Sequence, residues 1–163
     1  MTVIIERPEL LRPSLLQPAA DVAPVVAEWS GRLPTPRVNA HVAAAQSARV
    51  RCNLWLTILQ WPGLVEGAAA VVHELVRNAV MHGSTAWNRH VTLRFALTHT
   101  GALLIEVTDG LPTFPGFDAG GSGLGGLARV RRRGAKVTWF PTFDGKTVQA
   151  TVQARLSGSE APS

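Results

Sequence analysis

The chain has 163 residues, of which 46% are hydrophobic and 17% charged, and its net charge is +5. This length suits one domain with a core, and the composition is typical of a globular protein. The single cysteine, Cys52, excludes an intrachain disulfide and is compatible with a reducing compartment. No apolar stretch approaches the length of a membrane span, and the N-terminus lacks a signal-peptide pattern, so we expect a cytoplasmic protein.

The first residues of the chain predict an arm that precedes a single domain. Residues 1–23 are rich in Pro and Leu, which favours an extended or flexible arm. We expect one domain over 24–156 and a disordered polar tail over 157–163. The domain begins with a predicted strand over Val25–Leu33, because prolines follow it and end it.

A long amphipathic helix is predicted over Val38–Gln60, and the turn Trp61–Leu64 ends it. Cys52 lies in its apolar run and is expected to be an inert core residue. Arg49 is expected to form a surface salt bridge. The apolar residues that define the pattern are Val42, Ala45, Ala48, Val50, Leu54, Leu56, Ile58 and Leu59.

The second helix, predicted over Val65–Gly83, carries a buried stripe and a polar stripe beside it. Glu74, Asn78 and His82 are four residues apart, so they share one face. There a carboxylate can take a proton, and an amide oxygen can hold Mg²⁺. A solvated polar face has the same spacing, so this helix alone does not decide between the two. The buried stripe consists of Val71, Val72, Leu75, Val76, Ala79 and Val80.

Two predicted hairpins supply the remaining strands. The strand His90–Thr98 alternates apolar and polar residues, and a Thr-Gly turn connects it to Ala102–Thr108. The second hairpin joins Lys136–Phe140 to Thr147–Ala154 through an Asp-Gly turn. Between the hairpins, the Pro- and Gly-rich loop over 111–123 has a length typical of a lid.

A third helix is predicted over Leu124–Arg133, directly after that loop. The elements together indicate an α/β (α+β) two-layer sandwich. We expect a mainly antiparallel sheet with three helices on one face.

Three motifs follow one another in an informative order. They are the helix with Glu74 and Asn78, the strand that runs into Asp109-Gly110, and the loop GGSGLGGL that opens a helix. The set resembles the ATP-binding domain shared by gyrase, the heat-shock chaperone, histidine kinases and the mismatch-repair ATPase. Within this GHKL, or histidine kinase-like, superfamily it is most similar to the small bacterial anti-sigma-factor serine/threonine-protein kinases of the RsbW/SpoIIAB type. The resemblance covers roughly Val25 to Leu156 and implies a Bergerat-type ATP-binding fold.

The resemblance implies a role for each matching polar residue. Glu74 would act as the base on a protein serine or threonine hydroxyl, or on water. Asn78 would hold Mg²⁺, and His82 would contact phosphate or shape the pocket. Asp109 would accept a hydrogen bond from the adenine amine and reject a carbonyl oxygen. A turn aspartate is the alternative interpretation for Asp109, and a helix-end cation is the alternative for His82.

Other matching positions would surround the base and the phosphates. Gly110 would let the backbone approach the base, and Thr147 would lie near adenine, although strand propensity explains a threonine there equally well. Ser122 stands where the subgroup often has arginine, so a cation near the phosphates is missing. Bare backbone N–H groups of the loop would meet the phosphates; this stretch consists of Gly121, Ser122, Gly123, Leu124, Gly125 and Gly126.

The resemblance implies an ATP- and Mg²⁺-dependent regulator of transcription. It would bind a sigma factor and phosphorylate an anti-anti-sigma antagonist protein, and the family often forms homodimers. The alternative is a nucleotide-binding regulatory module with little or no turnover, which the loss of arginine at Ser122 favours. A third interpretation, nucleic-acid binding, rests on the arginines of 129–133; we favour their placement at a helix C-terminus, so direct nucleic-acid binding is not expected.

Overall fold

A computed structural model of the chain describes residues 23–34, 40–83, 90–114 and 125–154. The predicted arm, apart from residue 23, and the predicted tail lie outside these ranges. No helix within the described ranges is long and apolar enough to cross a membrane. The elements are β1 (Val25–Pro34), α1 (Ala40–Ile58), α2 (Val65–His82), β2 (His90–Thr98), β3 (Leu103–Asp109), α3 (Gly126–Arg132), β4 (Lys136–Pro141) and β5 (Lys146–Val152).

The five described strands form one sheet in the order β1-β2-β3-β5-β4, and every pairing is antiparallel. The β2–β3 turn requires the glycine at Gly101, whose φ of 84° lies in the left-handed region. At the β4–β5 turn the N–H of Thr142 donates to the carbonyl of Gly145 at 2.8 Å. Both predicted hairpins and the predicted α/β class with three helices are confirmed.

The core lies between the helices and one face of the sheet. Leu103, Ile105 and Val107 alternate along β3 and are buried, whereas the residues between them are partly exposed. The predicted stripe of α2 is confirmed, since all six of its residues are buried. The buried residues of β3 and of the α2 stripe therefore form one apolar layer, and this layer holds α2 against the sheet.

The other face of the sheet carries a ladder of polar side chains across four strands. Arg94 lies at its centre and donates to Glu28 at 3.1 Å and to Glu106 at 2.8 Å. Gln149 continues the ladder by donating to Glu106 at 2.9 Å. The hydrogen bond with Glu28, aided by Glu106, raises the pKa of Arg94 above its ordinary value despite partial burial.

The first helix buries only part of the apolar set that its sequence pattern predicts. Ala44, Ala45, Ala48 and Cys52 are buried with Leu56, and burial raises the pKa of the Cys52 thiol to about 12. The predicted apolar face is confirmed for Ala45, Ala48 and Leu56 and wrong for its other members, because small side chains let α1 lie close to α2 and leave most of the bulky ones outside. The exposed residues are Val42, Val50, Leu54, Ile58 and Leu59.

Two contacts help to fix how α1 and α2 are arranged. The salt bridge expected for Arg49 is present at the surface, 3.1 Å from Glu66. After α1 the chain turns at Trp61, whose indole N–H donates to the carbonyl of Gly101 at 2.8 Å. This bond joins the α1–α2 connection to the β2–β3 turn and sets the start of α2.

Candidate nucleotide-binding site

Glu74 lies on the part of α2 that faces α3, and its side chain is only 14% exposed. Its Oε1 atom accepts a hydrogen bond from Arg129 Nη1 at 3.2 Å. Its Oε2 atom is buried and has no hydrogen-bond partner among the described residues. Because a buried carboxylate oxygen without a partner is costly, this atom is suited to contact a ligand.

Asn78 lies one turn after Glu74 on α2, and both side chains lie close to the same residue of α3. A Cβ atom added to Gly126, the first residue of α3, would lie 2.7 Å from Glu74 Oε2 and 3.2 Å from Asn78 Oδ1. The structure therefore brings Glu74, Asn78 and Gly126 together. The Asn78 oxygen is a hard neutral donor that fits Mg²⁺, an ion that proteins usually hold with one or two side chains while phosphates supply further ligands.

Asp109 ends β3 and is buried in an ion pair that the sequence did not predict. Lys146 Nζ lies 2.8 Å from each of its carboxylate oxygens. The N–H of Leu111 donates to Asp109 Oδ1 at 2.9 Å. The ammonium also lies 5.3 Å from the centroid of the Phe114 ring. Asp109 is therefore a charged acceptor with a cation beside it.

Two glycines bring other elements directly against Asp109. A Cβ atom added to Gly83 would lie 2.2 Å from Asp109 Cγ, and one added to Gly145 would lie 1.7 Å from the Asp109 carbonyl oxygen. The C-terminal end of α2 and the β4–β5 turn therefore both contact this residue. Through Gly83, the helix that carries Glu74 and Asn78 ends at the predicted base acceptor.

Thr147 does not share this site, although it follows Lys146 directly. Its hydroxyl pairs with that of Thr108 at 2.7 Å. Lys146 and Asp109 are opposite each other in the β3–β5 ladder, so the next residue of each strand points to the other face of the sheet. The structure therefore brings Lys146, and not Thr147, to Asp109.

The remaining predicted residues are described by their exposure and their position in the chain. His82 is exposed in the last turn of α2, and Gly110 is half-buried directly after Asp109. Gly125 is exposed and immediately precedes α3. Their binding roles stay predictions. The predicted loop residues Gly121, Ser122, Gly123 and Leu124 lie outside the described residues.

Sequence reasoning missed two cations of this site. The sequence pattern indicates Thr147 and not Lys146, because only the strand register pairs Lys146 with Asp109. Arg129 was interpreted as a helix-end residue, and it lies in the last turn of α3 as expected. It also pairs with Glu74, a contact that the spacing of Glu74 and Asn78 does not indicate.

Comparison with solved structures shows which proteins have a similar fold. The crystal structure of the RsbU and RsbW domains of Rv1364c from Mycobacterium tuberculosis matches with a TM-score of 0.55 and 19% identity, over 78% of this chain and 32% of that one. The SiaB–SiaC complex from Pseudomonas aeruginosa matches with a TM-score of 0.50 and 15% identity, over 78% of this chain and 89% of that one. The chain shares its fold with these two structures.

The predicted resemblance is thus confirmed for the fold. The chain spans about a third of the length of the mycobacterial chain that it matches. A histidine kinase domain from Erythrobacter litoralis EL346 matches with a TM-score of 0.46 and 22% identity, over 55% of this chain and 44% of that one. No protein-family model and no curated protein matches the sequence.

Proposed function

We propose that the chain is an ATP- and Mg²⁺-binding regulator of the anti-sigma-factor kinase type. The observation that carries the proposal is that Glu74 and Asn78 both lie against Gly126. The helix that holds these two side chains, α2, ends against Asp109. The RsbW-like fold supports it. A proton acceptor, a metal ligand and a base acceptor would then lie along one wall of a single cavity.

Each side chain has a physical task in this proposal. Asn78 would hold Mg²⁺, which when bound neutralises phosphate charge. The Oε2 atom of Glu74 would accept the proton of a serine or threonine hydroxyl. Arg129 holds the other carboxylate oxygen at 3.2 Å and would thereby fix the orientation of that base. Asp109 would hold the amine of the nucleobase.

The phosphoacceptor that we propose is an antagonist protein of the anti-anti-sigma kind, and the regulated target is a sigma factor. A solved structure of the same fold is consistent with a protein partner, since it contains SiaB in complex with SiaC. A homodimer remains an expectation of the family resemblance. We also propose a cytoplasmic location, with which the single cysteine is compatible.

Phosphate transfer tests the kinase part of the proposal. The chain is incubated with Mg²⁺-ATP and candidate antagonist proteins, and phosphoserine and phosphothreonine are measured by mass spectrometry. Glu74→Gln removes the proposed base and should lower transfer by about 10²-fold or more while ATP still binds. Glu66→Gln is the matched control, because Glu66 is an exposed carboxylate on the same helix. Equal transfer by the two variants would contradict the assignment of the base.

A second candidate function is a nucleotide-binding regulatory module without useful turnover. The serine at position 122, in place of the arginine common in the resembling subgroup, favours it. The two functions differ in the consequence of Glu74→Gln. In a kinase the substitution abolishes regulation that depends on transfer, whereas in a binding module the regulatory output persists with ATP bound.

A further inference from the structure

We infer that Arg129 contacts the terminal phosphate of ATP and thereby lets the site distinguish ATP from ADP. The inference rests on the proposed function, since it requires that ATP binds with Mg²⁺ beside Glu74 and Asn78. It adds a task to Arg129, which the proposed function uses only to orient the base. The guanidinium lies where α3 meets the proposed base on α2.

Arg129 lies one helical turn after the start of α3, on the side that faces α2. Its backbone N–H donates to the carbonyl of Gly125 at 3.2 Å, and its Nη1 atom lies 3.2 Å from Glu74 Oε1. Gly126, three residues earlier on the same helix, lies against both Glu74 and Asn78. The proposed base, the proposed metal ligand and the guanidinium therefore border one place between the two helices.

The guanidinium has N–H donors available for a ligand. A guanidinium group has five of them. Glu74 accepts from one, and the side chain of Arg129 meets no other acceptor among the residues that the structure describes. The side chain of Arg129 is 54% exposed, whereas that of Glu74 is 14% exposed. A phosphate can therefore approach the guanidinium from the solvent while the ion pair with Glu74 stays intact.

The glycine-rich loop before α3 carries no cationic side chain. No lysine or arginine occurs from residue 95 to residue 128, so Arg129 is the first after that loop. A triphosphate brings several negative charges to a site that already holds the carboxylate of Glu74, and their repulsion is unfavourable without a cation. A guanidinium binds phosphate oxygens through two parallel hydrogen bonds, which suits Arg129 to this role.

The proposed transfer indicates which phosphate Arg129 meets. The hydroxyl oxygen of the acceptor protein forms a bond to the terminal phosphorus, and Glu74 takes the hydroxyl proton. The bond from that phosphorus to the bridging oxygen breaks, so that ADP leaves with the electron pair. Because Glu74 must reach this hydroxyl, the terminal phosphate is the one nearest to Glu74 and to Arg129. ADP lacks that phosphate, so only ATP gains the contact.

Calorimetric titration with ATP and with ADP, each in excess Mg²⁺, tests the contact. Folded wild-type chain should bind ATP at least about tenfold more tightly than ADP, as expected for a hydrogen bond between charged groups. Arg129→Gln should weaken ATP at least about tenfold, while the affinity for ADP changes by less than about threefold. Arg133→Gln is the control, since Arg133 is an exposed arginine directly after α3, and it should change neither affinity.

A second comparison separates a phosphate contact from a positioning role. In a chain that already carries Glu74→Gln, the further change Arg129→Gln should still weaken ATP at least about tenfold, whereas a residue that acts only through Glu74 would lose its effect. Equal affinity of the wild type for ATP and ADP, a result that needs no variant, would overturn the inference and leave the proposed function standing. Unchanged ATP affinity in Arg129→Gln, or equal weakening of ATP and ADP, would do the same. No binding of either nucleotide by folded wild type would overturn both.

Discussion

At the scale of single residues, the site depends on how closely α2 approaches Asp109. Gly83 ends that helix with φ of −102°, a conformation open to any residue, so its backbone does not require glycine. What requires glycine is the carboxyl group packed against it, 2.2 Å from where a Cβ atom would lie. A larger residue would force Asp109 and its partner Lys146 to shift.

This contact gives a prediction with a control on the same helix. Gly83→Ala should lower the free energy of unfolding by about 1–3 kcal/mol through overpacking. Gly67→Ala should raise it by up to about 1 kcal/mol, because Gly67 is helical and its nearest contact would be an ordinary 3.6 Å from Leu64. Urea unfolding followed by circular dichroism measures both. Destabilisation of equal size in the two variants would contradict the close contact with Asp109.

At the scale of elements, α1 shows that burial on a helix need not follow side-chain size. Its buried face is made of alanines, a cysteine and Leu56, and its outer face carries Leu54, which is 60% exposed. The two leucines are two residues apart and point to opposite sides. The small buried residues let α1 and α2 pack closely, which supports the helix that carries Glu74.

The two leucines allow a direct test of this packing. Leu56→Ala should cost about 2–5 kcal/mol of unfolding free energy, because it opens a cavity in the core. Leu54→Ala should change it by less than about 0.5 kcal/mol, since an exposed side chain is lost and alanine favours the helix. Chemical denaturation of both variants gives the comparison. A larger loss for Leu54→Ala would mean that the outer face is covered in solution.

Local patterns predicted the elements well, because strand alternation and helix spacing are properties of neighbouring residues. The helix faces were harder to predict where both faces carry apolar residues, as in α1. In the site, the four-residue spacing placed Glu74 and Asn78 on one face. The partner of Asp109 was missed because the pairing of β3 with β5 is non-local, and a shift of one residue exchanges Lys146 for Thr147.

At the scale of the whole molecule, the fold places two chemically different groups of residues along one helix, α2. Gly126 brings together Glu74, the proposed base, and Asn78, the proposed metal ligand, and Gly83 connects the same helix to the buried pair of Asp109 and Lys146. On the outer face of the sheet, the polar ladder centred on Arg94 connects the strands. The site is therefore supported by rigid elements, which favours a preorganised ligand geometry.

The most direct test of the central claim is a calorimetric titration of folded wild-type chain with ATP, with and without Mg²⁺. The account predicts saturable binding of one ATP per chain that Mg²⁺ strengthens. In Asn78→Ala the effect of Mg²⁺ should fall by about tenfold or more, whereas Asn53→Ala, on α1, should leave it unchanged. Absence of ATP binding by a chain shown to be folded, or an unchanged effect of Mg²⁺ in Asn78→Ala, would contradict the account.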